Sequence, residues 1–355
     1  MKMRRSTRKI KVGNLYVGGD APISIQSMTN TPTQDVERTV NQIHELETAG
    51  CDLVRVAVSN DEDLAALPSI KANIHIPLIV DIQYNARLAV ESIQRGADCL
   101  RINPGNIGGE AKTELVVKEA KKYGISMRIG VNGGSAEEDL LQKHSGPTSD
   151  ALVESAMRYV EMMERMNFHE FKLSLKSSDV TIMMDAYRKI SKRTDYPLHL
   201  GVTEAGAGDA AIVKSAIGIG GLLMEGIGDT VRVSLTQSVV DEVRIAKEIL
   251  RTAGCYHQGV NLISCPTCSR TKIDLVSIVE EARKQLQDIS EPITIAIMGC
   301  PVNGPGEARE ADYGLAGENG QGIVFAKGKV IRRVPEEQLL HALLEEIRKG
   351  IGHDS

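Results

Sequence analysis

Three short stretches decide the fold: Leu53-Val-Arg-Val-Ala-Val58, Leu78-Ile-Val-Asp-Ile82 and Cys99-Leu-Arg-Ile102. Each is a run of aliphatic and β-branched residues, which is typical of a strand buried on both faces of a parallel sheet. Runs of this kind recur along the first 250 residues. The eight predicted strands are Ile23–Met28, Leu53–Val58, Leu78–Ile82, Cys99–Ile102, Met127–Val131, Phe171–Leu175, Leu198–Val202 and Val231–Leu235.

Amphipathic segments with apolar residues three and four apart separate these strands, as expected of helices. Examples are Val36–Leu46, Leu115–Lys122, Leu152–Met163 and Val180–Lys192. A strand and helix alternation fits either a doubly wound open sheet or a closed (β/α)8 TIM barrel, and the count of eight favours the barrel. The stretch Ile10–Val17 predicts a hairpin that closes the barrel floor.

A change of pattern follows the helix predicted at Val239–Arg251. We predict a helix over Asp274–Leu286, a buried strand over Ile293–Met298 and a hairpin over Ile323–Val334. The expected organisation is therefore α/β, with a barrel over residues 1–251, a linker over 252–259 and a smaller α+β domain over 260–355.

Composition narrows the classes of function. The net charge is −5, and the chain has 0 Trp and 3 Phe, so there is little material for stacking nucleic-acid bases, and we expect no nucleic-acid partner. No apolar run reaches the length of a membrane span, and the basic N-terminal segment is not followed by the apolar region of a secretion signal. We therefore expect a cytoplasmic protein whose 6 cysteines are thiols or metal ligands.

Three cysteines form the clearest candidate metal site. Cys265 and Cys268 make a C-x-x-C motif just before a predicted helix, and Cys300 follows the predicted strand Ile293–Met298. Such thiolates can hold an iron–sulfur cluster, a structural zinc or a redox dithiol. The fourth ligand is open between Glu307, whose oxygen would exchange readily on a thiolate-bound iron, and Cys255 in the linker.

Basic residues recur where the predicted barrel strands approach their C-terminal ends, the face on which barrel enzymes carry their chemistry. They are Arg55, Arg101, Arg128, Lys172 and Arg232. Polar residues that accompany them are Asn132, Thr203, Glu204 and Ser234. Converging cations in an acidic protein predict a polyanionic ligand, and arginine binds phosphate oxygens bidentately. Glu204 is either an acid/base group or a partner that orients an arginine.

Six motifs in this order resemble the 4-hydroxy-3-methylbut-2-enyl diphosphate synthase family. They are Ser27-Met-Thr-Asn-Thr, Arg101-Ile-Asn-Pro-Gly-Asn-Ile-Gly, Arg128-Ile-Gly-Val-Asn-Gly-Gly-Ser, Gly201-Val-Thr-Glu-Ala-Gly, Cys265-Pro-Thr-Cys-Ser-Arg and Met298-Gly-Cys-Pro-Val-Asn-Gly-Pro-Gly-Glu. The resemblance extends nearly end to end. It implies reductive opening of a cyclic diphosphate of methylerythritol in isoprenoid biosynthesis.

The same resemblance implies the ligands and partners. A [4Fe–4S] cluster, one per subunit, would be held by Cys265, Cys268, Cys300 and the exchangeable Glu307. The cyclic diphosphate would be bound by Arg55, Arg101, Arg128, Asn132, Lys172, Thr203, Arg232 and Ser234, with Glu204 as proton donor. A homodimer in which the cluster domain of one subunit caps the barrel of the other is implied, with flavodoxin or ferredoxin as electron donor.

One position departs from the family pattern. The family commonly has a histidine two residues after the aspartate of the strand Leu78–Ile82, where this chain has Gln83. Two other classes of function remain as alternatives: a pterin-type barrel transferase, in which the cysteines would be idle, and a zinc-stapled binding protein.

Overall fold

The computed structural model describes residues 3–132, 137–287, 289–302 and 308–352. The chain divides into two compact units, Met1–Cys255 and Tyr256–Ser355. Each unit has its own sheet and its own core, so the two are described separately.

Eight parallel strands form the sheet of the first unit, in the spatial order β8-β7-β6-β5-β4-β3-β10-β9. Their bounds are β3 Ser24–Met28, β4 Leu53–Ala57, β5 Leu78–Asp81, β6 Cys99–Ile102, β7 Ser126–Asn132, β8 Phe171–Lys176, β9 His199–Leu200 and β10 Thr230–Val231. The two ends of the sheet meet, because Leu173 of β8 bridges Leu198 and donates its N–H to the Pro197 carbonyl at 2.9 Å. The predicted barrel is confirmed.

Helices follow the strands and cover the barrel wall. They are α1 Val36–Thr48, α2 Asp61–Ala72, α3 Ala86–Gln94, α4 Glu110–Tyr123, α5 Glu138–Lys143, α6 Ser149–Arg165, α7 Val180–Ile190, α8 Gly208–Ser215, α9 Gly221–Met224 and α10 Val239–Thr252, with a π-helical turn at Ala216–Gly220. Side-chain caps fix several starts; Asp179, for example, accepts the N–H groups of Thr181 and Ile182. These caps satisfy amide donors that the helices leave unpaired.

The hairpin β1 Ile10–Val12 and β2 Leu15–Val17 lies at the N-terminal end of the barrel. Its Ile10, Val12 and Val17 form one buried cluster with Leu53, Ile79 and Cys99, which stand at or near the first residues of β4, β5 and β6. The predicted hairpin therefore closes the floor with apolar side chains, as expected.

Among the described residues of the second unit, five strands form a mixed sheet, accompanied by two α-helices and a 3-10 turn at Glu336–Gln338. Its strands are ordered β11 to β15, with bounds Asn261–Ser264, Thr294–Met298, Tyr313–Glu318, Gln321–Ala326 and Lys329–Pro335. The helices α11 Leu275–Gln285 and α12 Leu339–Ile351 contribute apolar side chains to the same core. The predicted helix, strand and hairpin are present, and β11 and β13 are additional.

Among the described residues, no helix has both the length and the apolar character needed to cross a membrane.

Candidate active site

Cations face one another inside the barrel because the strands alternate their side chains between the interior and the helices. In the strand register Asp81 of β5 stands beside Arg101 of β6, which stands beside Arg128 of β7. Arg55 of β4 and Arg232, the residue after β10, complete the group. Arg55 and Arg128 are buried, at 6% and 1% exposure.

Asp81 is the carboxylate that compensates this group most directly. Its Oδ1 accepts a hydrogen bond from Arg101 Nη1 at 3.0 Å, and its Oδ2 lies 3.6 Å from Arg55 Nε. Burial alone would raise the pKa of Asp81, but Arg55 and Arg101 hold it below its usual value. Asp81 is therefore ionised and shared between two arginines.

Positive charge remains in excess around that carboxylate. Buried nitrogens of three arginines have no hydrogen-bond partner within the described residues: Nε of Arg101, Nη1 of Arg128 and Nε of Arg232. Burial, reinforced by neighbouring arginines, lowers the pKa of Arg128 to about 9 and depresses that of Arg55 well below its ordinary value. A buried cation without a counter-charge is costly, so the site is poised for an anion with several acceptor oxygens.

Lys176 also belongs to this group, although it is not among the binding residues predicted from sequence. Its side chain is fully buried at the end of β8, and burial followed by Arg128 and Arg232 lowers its pKa well below the ordinary value. A Cβ at position 201 would lie 2.9 Å from Lys176 Nζ, so Gly201 leaves room for the ammonium group. The alternation of β8 was the available signal, because residues 172, 174 and 176 share one face.

Lys172 of β8 is the register neighbour of Arg128 on β7 and is buried. Its Nζ is 3.5 Å from Thr230 Oγ1, and Cys99, Arg128 and Asp229 are among the groups that act on its charge. Burial lowers its pKa to about 8. The structure thus places Lys172 beside the arginine group, and its direct contact with a ligand stays a prediction.

His199 also lies inside the barrel, near Lys172 and Arg128. It is fully buried on β9, and neither ring nitrogen has a partner among the described residues. Burial, followed by Arg128, Lys176 and Lys172, depresses its pKa well below the usual value. The imidazole is therefore neutral at physiological pH, with one N–H and one lone pair directed into the barrel interior.

The remaining predicted residues follow the strands at the barrel rim. Asn132 ends β7, Thr203 and Glu204 follow β9, and Ser234 follows β10. Glu204 is exposed and has a φ of 52°, the left-handed region in which non-glycine residues are uncommon. Such strain is found preferentially at functional sites, which agrees with a role for this carboxylate. Gln83 lies between β5 and α3 and is also exposed.

The second unit brings the cysteine motifs together through strand adjacency. β11 and β12 are parallel neighbours in which Ser264 pairs with Ile297, so the segments that follow both strands leave the same sheet edge. Cys265 Sγ accepts the Gly299 N–H at 3.2 Å, directly beside Cys300. This contact links the C-x-x-C motif to the segment that carries the third cysteine.

The donor set fits an iron–sulfur cluster. A hydrogen bond from the Arg270 backbone, followed by those from the Arg270 and Thr271 side chains, lowers the pKa of the exposed Cys268 thiol, which favours the ligating thiolate. Cys265 is half-buried and Cys300 buried. Three thiol sulfurs are the ligands from which an iron–sulfur cluster is built.

Glu307 and Cys255 are the two candidates for the fourth ligand. Glu307 lies outside the described residues. Cys255 ends the first unit; burial raises the pKa of its thiol, and its Sγ donates to the Ala253 carbonyl at 3.5 Å. Cys51 and Cys99 are buried in the barrel, as expected of core residues.

Comparison with protein families accounts for both units. The GcpE TIM-barrel domain model matches residues 7–247, and the GcpE C-terminal domain model matches residues 261–349. The chain belongs to the GcpE family. The expected family resemblance is confirmed, and the basic barrel interior and the cysteine motifs fall within the two GcpE domains.

Curated GcpE relatives match over nearly their whole length. A protein of Clostridium tetani is 54% identical over 345 residues, covering 97% of this chain and 99% of the relative. One of Thermodesulfovibrio yellowstonii is 52% identical over 349 residues, covering 98% and 100%. Both are named 4-hydroxy-3-methylbut-2-en-1-yl diphosphate synthase (flavodoxin).

Solved structures resemble the GcpE barrel at low identity. A type I 3-dehydroquinate dehydratase of Clostridium difficile aligns with a TM-score of 0.52 and 14% identity, covering 71% of this chain and 100% of that one. A Yersinia pestis dihydropteroate synthase aligns with a TM-score of 0.50 and 13% identity, covering 70% and 100%. Likeness at this level shows the fold alone, so it does not support the pterin-type alternative.

Proposed function

We propose that this chain catalyses the two-electron reductive ring opening and dehydration of 2-C-methyl-D-erythritol 2,4-cyclodiphosphate to 4-hydroxy-3-methylbut-2-enyl diphosphate, in isoprenoid biosynthesis. The names of relatives at 52–54% identity support this activity. The structural observation that carries it is the group of Arg55, Arg101, Arg128 and Arg232 inside the barrel. Asp81 pairs with Arg55 and Arg101, and the buried Glu242 is the carboxylate that acts most on Arg232. A cyclic diphosphate supplies the missing negative charge and the acceptor oxygens.

The cations anchor the substrate. The proposed binding residues are Arg55, Arg101, Arg128, Asn132, Lys172, Thr203, Arg232 and Ser234, to which the geometry adds Lys176. Arg101, Arg128 and Arg232 each have a buried nitrogen without a partner in the described part of the chain, so each can donate to a phosphate oxygen without first breaking a protein contact at that nitrogen. Because the guanidinium groups are held by strands, the diphosphate is bound in one orientation.

Reduction requires a redox group that the side chains do not provide. Cys265, Cys268 and Cys300 would hold a [4Fe–4S] cluster, one per subunit, with Glu307 as the exchangeable fourth ligand. When bound, the cluster delivers two electrons singly and offers a Lewis-acidic iron to the released oxygen. The C–O bond that opens the ring breaks, and the second oxygen leaves as water after accepting a proton. Glu204, exposed at the rim, is the proposed donor of that proton.

The electron donor and the assembly complete the proposal. Flavodoxin is in the names of the relatives, and we propose flavodoxin, or ferredoxin in its place, as the reductant. We propose that the chain works in the cytoplasm, where both electron donors occur. We further propose a homodimer in which the cluster domain of one subunit caps the barrel of the other, which would bring the cysteines to the arginine group and exclude water.

Spectroscopy of anaerobically purified protein tests the proposal. We expect iron and acid-labile sulfide in equal amounts, a cluster absorption band that bleaches on reduction, and a paramagnetic resonance signal that changes when the cyclic diphosphate is added. Turnover with reduced flavodoxin should yield the linear diphosphate. Zinc without sulfide would favour a stapled binding protein, and absence of any metal from oxygen-free preparations would favour a transferase; either result would reject the proposed reaction.

A further inference from the structure

His44, Glu47 and His75 converge on the outer wall of the barrel, apart from every residue discussed above. His44 and Glu47 are three residues apart on α1, and His75 lies between α2 and β5. One ligand atom from each residue lies within 4.8 Å of the others. Residues three apart on a helix share a face, and the loop brings the third donor to it.

Hydrogen bonds orient the two imidazoles and the carboxylate. His44 Nε2 is 2.8 Å from the Asn73 carbonyl oxygen, which can only accept, so Nε2 carries the proton and Nδ1 keeps the lone pair. Metal-binding histidines typically donate their other N–H to such an oxygen. Glu47 Oε1 accepts the backbone N–H groups of His75 and Ile76 at 2.6 and 3.2 Å.

The second carboxylate oxygen meets a proton that a metal can replace. Glu47 Oε2 lies 2.9 Å from His75 Nδ1. Both oxygens of Glu47 accept hydrogen bonds, as expected of a carboxylate. A shift of the His75 proton from Nδ1 to the solvent-exposed Nε2 would leave a carboxylate oxygen beside a nitrogen lone pair, with a second lone pair on His44.

We propose that His44, Glu47 and His75 form a zinc site that ties the end of α1 to the loop before β5. Two imidazoles and one carboxylate are a borderline ligand set that suits Zn²⁺. A zinc at about 2.0 Å from each donor keeps the donors about 3.3 Å apart, so side-chain rotation suffices to close the group. The His75 side chain is 82% exposed, which leaves the fourth position to water.

Zinc titration of the cluster-loaded protein, followed by calorimetry under anaerobic conditions, tests the site. We expect one zinc per chain with micromolar affinity at pH 7.5. His75→Ala and Glu47→Gln should each weaken binding at least about tenfold. His75 is mostly exposed, so its replacement leaves the barrel core intact.

A matched control exists in the second unit. His341 is 72% exposed and pairs with Glu345 at 3.2 Å one helical turn away. Within the described residues, no third histidine, cysteine or carboxylate lies close enough to this pair to complete a group like the proposed site. His341→Ala should leave the zinc isotherm unchanged. Equal zinc binding by the parent protein and His75→Ala, or no binding at micromolar zinc, would overturn the proposal and leave Glu47 as a hydrogen-bonded anchor of the loop.

Discussion

Asp81 lies between Arg101 and Arg55, bonded to the first at 3.0 Å and 3.6 Å from the second. A carboxylate at this point keeps the two guanidinium groups in place while the protein is empty. It is also the group that an incoming phosphate must share them with. In the empty protein Asp81 pairs with these arginines, and in the complex Asp81 and the substrate phosphate would share them.

Asp81→Asn should lower the free energy of unfolding by about 3 kcal/mol, because it leaves two buried cations without their counter-charge. Urea unfolding measures the change. Asp61→Asn is the control, since its ion pair with Arg87 is exposed on both sides and should contribute less than about 1 kcal/mol. The cyclic diphosphate should stabilise Asp81→Asn more than the parent protein. Equal stability of the two variants would show that Asp81 does not compensate the arginines.

Affinity for the cyclic diphosphate should fall as the pH rises through about 8. Burial lowers the pKa of Lys172 to about 8 in the empty barrel, and a bound anion must raise that pKa again. The complex then holds more protons than its components, so binding weakens with rising pH by at most about one log unit per pH unit per proton. Calorimetry from pH 7 to 9.5 measures this slope; the phosphates of the cyclic substrate do not titrate there.

Lys172→Met should reduce that pH dependence by removing one titrating group, while Arg128 and Lys176, whose pKa values burial also lowers, keep part of it. Lys192→Met, at an exposed position before β9, should keep the slope of the parent protein. A pH-independent affinity in the parent protein, or an unchanged slope in Lys172→Met, would mean that Lys172 does not respond to the anion.

Cys300→Ser should abolish most of the iron and labile sulfide of anaerobically prepared protein, because an alcohol is a poor ligand for iron in a thiolate site. Circular dichroism should still show a folded chain. Cys255→Ser should retain the parent iron content, since burial raises the pKa of the half-buried Cys255 thiol and so disfavours the ligating thiolate. Loss of iron in Cys255→Ser would make that residue the fourth ligand in place of Glu307.

Ile217→Glu should convert the proposed dimer into monomers. Val213, Ile217 and Met224 are 53%, 55% and 60% exposed, and their spacing through α8, the π-helical turn and α9 places them on one side of the helical segment. An exposed apolar stripe of this kind suits a subunit interface. Light scattering after gel filtration measures the mass. Leu115→Glu on α4, 59% exposed, should leave it unchanged; a dimeric Ile217→Glu would exclude this face.

The barrel could be predicted from sequence because most of its strands are short aliphatic runs that alternate with amphipathic helices. Two strands of the second unit could not. β13, Tyr313–Glu318, contains Gly314 and Gly317, residues that weaken any strand signal. The structure explains them: a Cβ at Gly314 would collide with the Phe325 ring, and one at Gly317 would lie 2.8 Å from Ile273. Packing, rather than backbone preference, selects these residues.

The arginines of the candidate site could be predicted from sequence, whereas Lys176 and the contacts of Lys172 could not. Arg55, Arg101, Arg128 and Arg232 come together as the strand pattern predicted. Lys172 and Lys176 alternate onto the same face of β8, and Lys176, four residues later, lies nearer the C-terminal rim. The predicted strand ended at Leu175, one residue short of β8. Lys176 was therefore missed, and the contact of Lys172 with Thr230 was visible only in three dimensions.

The hairpin at Ile10–Val17 has a kinetic consequence. Because it fills the N-terminal end of the barrel with apolar side chains, the reactant and the product must both pass through the C-terminal end. A linear diphosphate that is slow to depart therefore blocks the next molecule from arriving. Turnover should show product inhibition that a higher concentration of the cyclic compound overcomes. Release of the linear diphosphate from the arginines should be the rate-limiting step.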